Sequence, residues 1–365
     1  MTVNLPPVGH VYIIAEAGVN HNGDKALALK LVDAAAKAGA DAVKFQTFKA
    51  ERLTTETSPK AAYQEANGIE GESQFAMLKR LELSQEAHFD LVARCSKLGI
   101  DFLSSPFDIE SLRFLVDDLR LKTVKIGSGE ITNGPLLLEA ARSDVQIFLS
   151  TGMSTMEEIE EALSVLAFGL KNKTDEPSRQ ALRSELSSST RLAAIRDRVT
   201  LLHCTSEYPA PVSDVNLRAM QTIQKKFGIS VGISDHTKGN SVSIAAAALG
   251  ASIIEKHFTL DRSLPGPDHG ASLEPLELKE MVSGVRTIQQ ALGDSVKKPA
   301  VSEIKNRDIV RKSLVALRPI SIGEPFSREN LGCLRPGDGL SPMVFWERLG
   351  QLANRSYAAG EKVTS

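Results

Sequence analysis

Charge of one sign is scarce in this chain of 365 residues: 43 lysines and arginines stand against 45 aspartates and glutamates, a net charge of −2. With no basic excess, the composition argues against nucleic acid or an anionic lipid surface as a partner. Cysteine is scarcer still. The three, Cys95, Cys204 and Cys333, lie far apart with no CxxC spacing, which argues against a disulfide framework or a zinc knuckle and suits a reducing compartment. Long hydrophobic runs are missing, since no apolar stretch approaches the roughly 20 residues that span a bilayer. The opening MTVNLPPVGHVYIIAEAG has no basic n-region, so the expectation is a cytoplasmic protein without membrane or export. Nucleotide signatures are absent too: GSG at 127–129 lacks the GxGxxG spacing, and neither GxSxG nor a Walker lysine occurs.

What is present is a rhythm. A short apolar strand, a loop with Gly, Ser or Asn and an amphipathic helix recur about eight times, the number of a TIM (β/α)8 barrel. The strands expected are 11–15, 41–45, 101–105, 122–126, 146–150, 199–204, 230–234 and 251–257, with helices such as 25–38, 85–98 and 155–170 between them. Two excursions break the pattern. Residues 51–74 are long enough for a lid, and 171–197 read as a surface insertion with some helix of its own. After residue 292 a polar connector, 293–306, leads to a Pro- and Gly-punctuated stretch, 307–365, which suits a small turn-rich domain.

A barrel carries its chemistry where strands end and βα loops begin. Those positions hold Glu16, Lys44, Gln46, Ser104, Ser105, Lys125, Ser128, Ser150, Thr151, Thr205, Ser206, Ser234, Asp235, His236, Glu255 and His257. Alternation along DAVKFQ sends Val43 and Phe45 toward the helices and Ala42, Lys44 and Gln46 toward the barrel axis, and the same reasoning turns Lys125 inward. Inward ammoniums ringed by hydroxyls suit a phosphate and carboxylate ligand, although ion pairs with Glu16 or Glu255, or a Schiff base, would also explain them. His236 and His257 end adjacent strands and can share a metal ion beside Asp235 and Glu255, or serve as structural hydrogen-bonding residues. Glu16 fits a general base or an ion pair with Lys44. His21 and His203 are not taken as ligands.

In order, the segments IAEAGVNHNG, VKFQTF, FLSSPFD, KIGSGE, STGM, HCTSEYP, GISDHT, EKHFTLDR and GPDH resemble the signature segments of the sialic acid synthase (NeuB-like) family. The tail, with RPGDGLSP, resembles the antifreeze-like (SAF) domain of that family. The resemblance implies a metal-dependent condensation. C3 of phosphoenolpyruvate attacks the open-chain aldehyde of N-acetylmannosamine or a close relative, water adds at C2, and phosphate departs by C–O cleavage. It further implies Mn²⁺ or Mg²⁺ on His236 and His257, and phosphoenolpyruvate on Lys44, Ser105, Lys125, Ser128, Ser150 and Ser234. Glu16 would act on the attacking water, and the sugar would meet Gln46, Ser206, Tyr208, Glu255 and Asp268. Arg335 would come from the partner subunit of a domain-swapped homodimer. HCTSEYPAP looks closer to legionaminic-acid-type synthases, so N-acetylneuraminate and legionaminate both stand as products.

Three other readings remain. A class I Schiff-base pyruvate aldolase would need no metal. An N-acylneuraminate-9-phosphate synthase, or another synthase acting on a phosphorylated sugar, would need a second phosphate site. A binding protein with an inert barrel would make the polar strand ends a coincidence.

Overall fold

The computed structural model describes residues 10–61, 64–65, 71–185 and 194–364. Eight parallel strands are present where alternation and apolar runs place them: β1 (Tyr12–Gly18), β2 (Ala42–Thr47), β3 (Asp101–Pro106), β4 (Thr123–Ile126), β5 (Gln146–Ser150), β6 (Val199–Cys204), β7 (Ser230–Asp235) and β8 (Ile253–His257). Their order, β3-β2-β1-β8-β7-β6-β5-β4, wraps into a TIM-type barrel. Strands β3 and β4 pack side by side at its seam; among the described residues no hydrogen-bonded ladder joins them.

Helices return the chain between strands: α1 (Lys25–Ala38), α2 (Gln74–Leu81), α3 (Gln85–Leu98), α4 (Ile109–Arg113), α5 (Gly134–Arg142), α6 (Met156–Lys171), α7 (Arg218–Phe227), α8 (Ser241–Ala248) and α9 (Pro275–Leu292). Local chemistry fixes their ends. Asp24 caps α1 by accepting from the backbone of Ala26 and Leu27, and Thr155 with Glu158 forms a capping box on α6. Among the described residues no helix is long and apolar enough to cross a membrane.

Two apolar layers follow from the alternation. Outward residues such as Val43, Phe45, Val124 and Ile126 join the large core between strands and helices. Inward residues Tyr12, Ile14, Ala42, Leu103, Phe148, Leu202 and Ile253 form a separate plug that floors the barrel. Gly232 belongs to this floor by having no side chain, because a Cβ there would stand 2.4 Å from the carbonyl oxygen of Ile253. Two residues further along most of these strands the inward face turns polar, with Glu16, Lys44, Ser105, Ser150 and Glu255, so the functional layer rests on a packed base.

Both excursions carry structure. The first opens in a short helix, Ala50–Leu53, and ends where α2 begins at Gln74, while residues 62–63 and 66–70 of the expected lid lie outside the described residues. The second contains a helix at Arg179–Glu185 as anticipated, with 186–193 outside the description.

The chain divides into two compact units after Gly293. In the second unit, α10 (Val301–Val310) runs through the end of the connector and across the 306/307 boundary drawn from composition. Beyond it, β9 (Ser313–Ala316) and β10 (Leu331–Leu334) pair antiparallel. Leu314, Ala316, Ile320, Phe326, Leu331, Ala353, Tyr357 and Val363 form this unit's own core.

Candidate active site

The mouth grows from the floor by strand alternation. Glu16 stands two residues above Ile14, Lys44 above Ala42, Ser105 above Leu103, Ser150 above Phe148 and Glu255 above Ile253. A bulge in the β1–β2 ladder between Glu16 and Gly18, with Gly18 at φ 52°, swings the following loop aside at this level. The result is a cavity of about 460 Å³, in the range of small-molecule sites. Glu16, Lys44, Gln46, Ser105, Lys125, Ser128, Ser150, Ser206, Tyr208, Ser234, His236, Glu255, His257 and Asp268 all line it. Arg335 lies in the C-terminal unit, exposed directly after β10.

Glu255 is the hub of the charged groups. Its Oε1 accepts from Ser234 Oγ at 2.8 Å and lies 3.4 Å from Lys125 Nζ, while its Oε2 is 3.7 Å from Lys44 Nζ. Lys44 Nζ also meets Glu16 Oε2 at 2.8 Å and donates to Ser105 Oγ at 3.1 Å. Burial alone would favour a neutral Lys44 amine, but Glu16 and Glu255 outweigh it and raise its pKa above the ordinary lysine value. A firmly protonated amine is a poor Schiff-base nucleophile and a good anion anchor. Burial, opposed by Lys44 and reinforced by Glu255, pushes Glu16 up to about 7. At Glu255 burial acts in the same upward sense, yet Lys125 and Lys44 prevail and hold that carboxyl well below the usual range. Burial lifts Asp268 to about 6, against a downward pull from Lys44.

The hydroxyls are poised differently. Ser128 Oγ accepts from the Gly152 backbone N–H at 3.0 Å and lies 3.0 Å from Cys204 Sγ. Ser150 Oγ is buried at the cavity wall with no hydrogen-bond partner, an unmet group of the kind a ligand satisfies.

His236 and His257 approach with ring centroids 5.5 Å apart, and Tyr208 lies against them at 4.1 Å and 5.4 Å. His236 Nδ1 lies 2.6 Å from the Thr205 carbonyl oxygen, so the proton belongs on Nδ1 and Nε2 keeps its lone pair, 3.1 Å from Ser234 Oγ, whose own hydrogen goes to Glu255. His257 Nδ1 is buried without a hydrogen-bond partner, 3.8 Å from Asp268 Oδ2. Burial lowers the pKa of His236 to about 4 and that of His257 well below its ordinary value. Two neutral imidazoles, one oriented by a carbonyl and one with an unmet nitrogen, fit the role of metal ligands. Among the described residues no group of three or more His, Cys, Asp and Glu is placed to hold a metal ion by itself. The remaining positions around a hard divalent ion would therefore fall to substrate and water oxygens.

Asp235, grouped with these histidines from its place at the strand end, faces the other way: its carboxylate pairs with Lys256 Nζ at 3.0 Å, outside the mouth. His203 and His21 are structural, His203 Nε2 lying 2.6 Å from the Val215 carbonyl oxygen and His21 Nδ1 accepting from the Gly23 N–H at 2.9 Å. An apolar wall also emerges that sequence reading did not anticipate. Leu53, Met77, Leu78, Leu81 and Phe107 line the same cavity, held together with Val19 and Phe48. The signal was the helical spacing of Met77, Leu78 and Leu81 directly after the polar excursion.

A parallel barrel with its polar layer at the carboxyl ends of the strands, above a packed floor, defines an enzyme of the barrel class acting on a small polar substrate. The chain belongs to the NeuB family, whose profile matches residues 31–297, and the SAF domain matches 311–364. The family read from the signature segments and the antifreeze-like tail is thus the family found. The chain is 50% identical to the N,N'-diacetyllegionaminic acid synthase of Campylobacter jejuni over 96% of this chain and 98% of that protein. It is 44% identical to the protein of the same name from Legionella pneumophila, over 96% and 92%. Among solved structures, the N-acetylneuraminic acid (sialic acid) synthetase of Leptospira borgpetersenii is similar with a TM-score of 0.67 and 35% identity, over 82% of this chain and 90% of that one.

Proposed function

We propose that this enzyme condenses phosphoenolpyruvate with a 2,4-diacetamido-6-deoxy hexose to give a legionaminate-type nonulosonate and inorganic phosphate. The observation that carries the reading is the placement of Lys44 and Lys125, both paired to Glu255, on one small cavity with the hydroxyls of Ser105, Ser128, Ser150 and Ser234. Point charges and small donors of this kind suit a phosphate with an adjacent carboxylate. The choice of sugar rests on the two legionaminic relatives and on the apolar wall, which favours a methyl where other hexosamines carry a hydroxyl.

In this reading the lysines and serines hold phosphoenolpyruvate with C3 toward the aldehyde carbon of the opened sugar, and Gln46, Ser206, Tyr208, Glu255 and Asp268 orient the acceptor. A carbon–carbon bond forms between those atoms from the C2–C3 π pair, leaving C2 electron-poor, while the aldehyde oxygen takes up a proton from solvent. Water adds at C2 and gives its proton to Glu16, whose pKa near 7 suits a base at neutral pH. The tetrahedral C2 then collapses: its bond to the phosphate oxygen breaks as the C2 hydroxyl becomes the ketone, the hydroxyl proton leaves with the phosphate, and Lys44 and Lys125 accommodate that anion. Bound by His236 and His257, a divalent ion, Mn²⁺ or Mg²⁺, would supply Lewis-acid polarisation of the aldehyde oxygen.

The working unit is proposed to be a homodimer in which the C-terminal unit caps the partner's barrel through Arg335. Exposed apolar side chains of that unit, Val301, Ile304, Met343 and Trp346 among them, support an interface.

Phosphate release by metal-stripped protein, with and without Mn²⁺, tests the reading against this sugar and against N-acetylmannosamine. Release that needs both the metal and the 6-deoxy sugar is expected. Release with N-acetylmannosamine alone would reassign the product to N-acetylneuraminate, and release without metal would reject the ion.

A further inference from the structure

Behind the two histidines, on the outer face of the same strands, lies a charged pair that the chemistry above does not use. Asp235 and Lys256 stand abreast in the β7–β8 ladder. Lys256 Nζ lies 3.0 Å from Asp235 Oδ2, and both side chains are 0% exposed. Each immediately precedes a histidine, Asp235 before His236 and Lys256 before His257. Alternation therefore puts the ion pair on one face of the sheet and the imidazoles on the other.

The pair is fastened on every side. Lys256 Nζ also donates to the Thr237 carbonyl, so one ammonium grips the residues before and after His236. Asp235 Oδ1 accepts from the Thr237 N–H and hydroxyl at 2.9 and 2.7 Å, and Oδ2 accepts from Ser243 Oγ at 2.7 Å on α8. A buried ion pair is a weak source of stability, because desolvating both charges offsets their attraction and apolar replacements are often no less stable. It does fix geometry, since opposite charges this close and this dry tolerate one alignment of the two strand ends.

We propose that Asp235 and Lys256 are positioning residues that set the spacing of His236 and His257, and with it the affinity of the site for a divalent cation. The inference rests on the metal reading above.

Asp235→Asn with Lys256→Met removes both charges at similar volume, whereas either single change strands a buried charge. Circular dichroism and a thermal melt would verify the fold. Stripped protein would then be titrated with Mn²⁺, read by paramagnetic resonance of the free ion, and separately with phosphoenolpyruvate. The expected result is a Mn²⁺ dissociation constant at least about tenfold higher, with metal-free phosphoenolpyruvate binding unchanged. A folded double variant that binds Mn²⁺ as the wild type does would overturn the proposal. If the double variant does not fold, Ser243→Ala decides, since it loosens Asp235 without touching either charge. A loss of about threefold in Mn²⁺ affinity is expected from one hydrogen bond, and unchanged affinity overturns the proposal. Wild-type protein that shows no Mn²⁺ binding lost on His236→Ala or His257→Ala would overturn the metal reading and the positioning role with it, a failure visible before any Asp235 or Lys256 variant is made.

Discussion

Glu16 and Glu255 share Lys44 but not a protonation state. Glu255 has two ammoniums and a serine hydroxyl to hold its charge, whereas Glu16 has one close ammonium, Lys44, and a lesser pull from Lys125 against its own burial and the charge of Glu255. The usual separation of roles between two carboxylates follows: one stays ionised and one titrates near the working pH. Because burial raises Glu16 to about 7, its proton-accepting form is lost as pH falls through that value. Turnover of the wild type should therefore rise with pH through about 7, and Glu16→Gln should lower kcat by about 100-fold or more and abolish that limb. A pH–rate profile retaining the limb in Glu16→Gln would assign it to another group. Lys125, 3.4 Å from Glu255, yields a different signature. Lys125→Ala should raise the KM for phosphoenolpyruvate by at least about tenfold and leave the KM for the sugar near its wild-type value. Steady-state kinetics with each substrate varied in turn separates the two effects.

Among the elements, the strands were legible because a parallel strand buried on both faces reads as a short apolar run, and because polar residues inserted in such runs must face something. Lys44 and Lys125 stand out in DAVKF and KTVKI for that reason. Asp235 was misplaced because it was grouped by its position at the strand end. Alternation carried through SVGISDH turns Ser234 and His236 inward and Asp235 outward, as the ion pair with Lys256 shows. Helix α2 escaped notice for another reason: it lies outside the βα rhythm, and its apolar face pays off only against Val19, Phe48 and Phe107, distant in sequence. That helix gives a test of acceptor choice. Leu78→Ser places a hydroxyl in the apolar wall, and one lost methyl contact in such a pocket is worth roughly 1 to 3 kcal/mol. The ratio of kcat/KM for the 6-deoxy diacetamido sugar over that for N-acetylmannosamine should fall about tenfold, with the phosphoenolpyruvate KM unchanged. An unchanged ratio would remove the wall from sugar recognition.

For the whole molecule, composition marked a second, turn-rich unit, and the structure gives it its own core, but the join was less legible. Residues 293–306 read as a polar connector, and polarity does not distinguish a linker from a helix with little tertiary packing. Helix α10 is of that kind, with no buried residue and with Val301, Ile304, Ile309 and Val310 exposed. Apolar side chains left bare along a helix need a covering surface, and in the proposed dimer the partner supplies it. The arrangement has a consequence that one chain alone cannot mimic. Arg335→Ala should disable the cap and Glu16→Gln the barrel, so that each variant by itself forms dimers with two defective sites. When the two are coexpressed, a mixed dimer pairs the intact barrel of the first chain with the intact cap of the second, and its other site carries both lesions. With random pairing half the dimers are mixed, so activity should recover to about a quarter of the wild-type value per chain. If each cap instead served its own barrel, every site would retain one lesion and coexpression would restore nothing, which the phosphate-release assay on doubly tagged, purified heterodimers distinguishes directly.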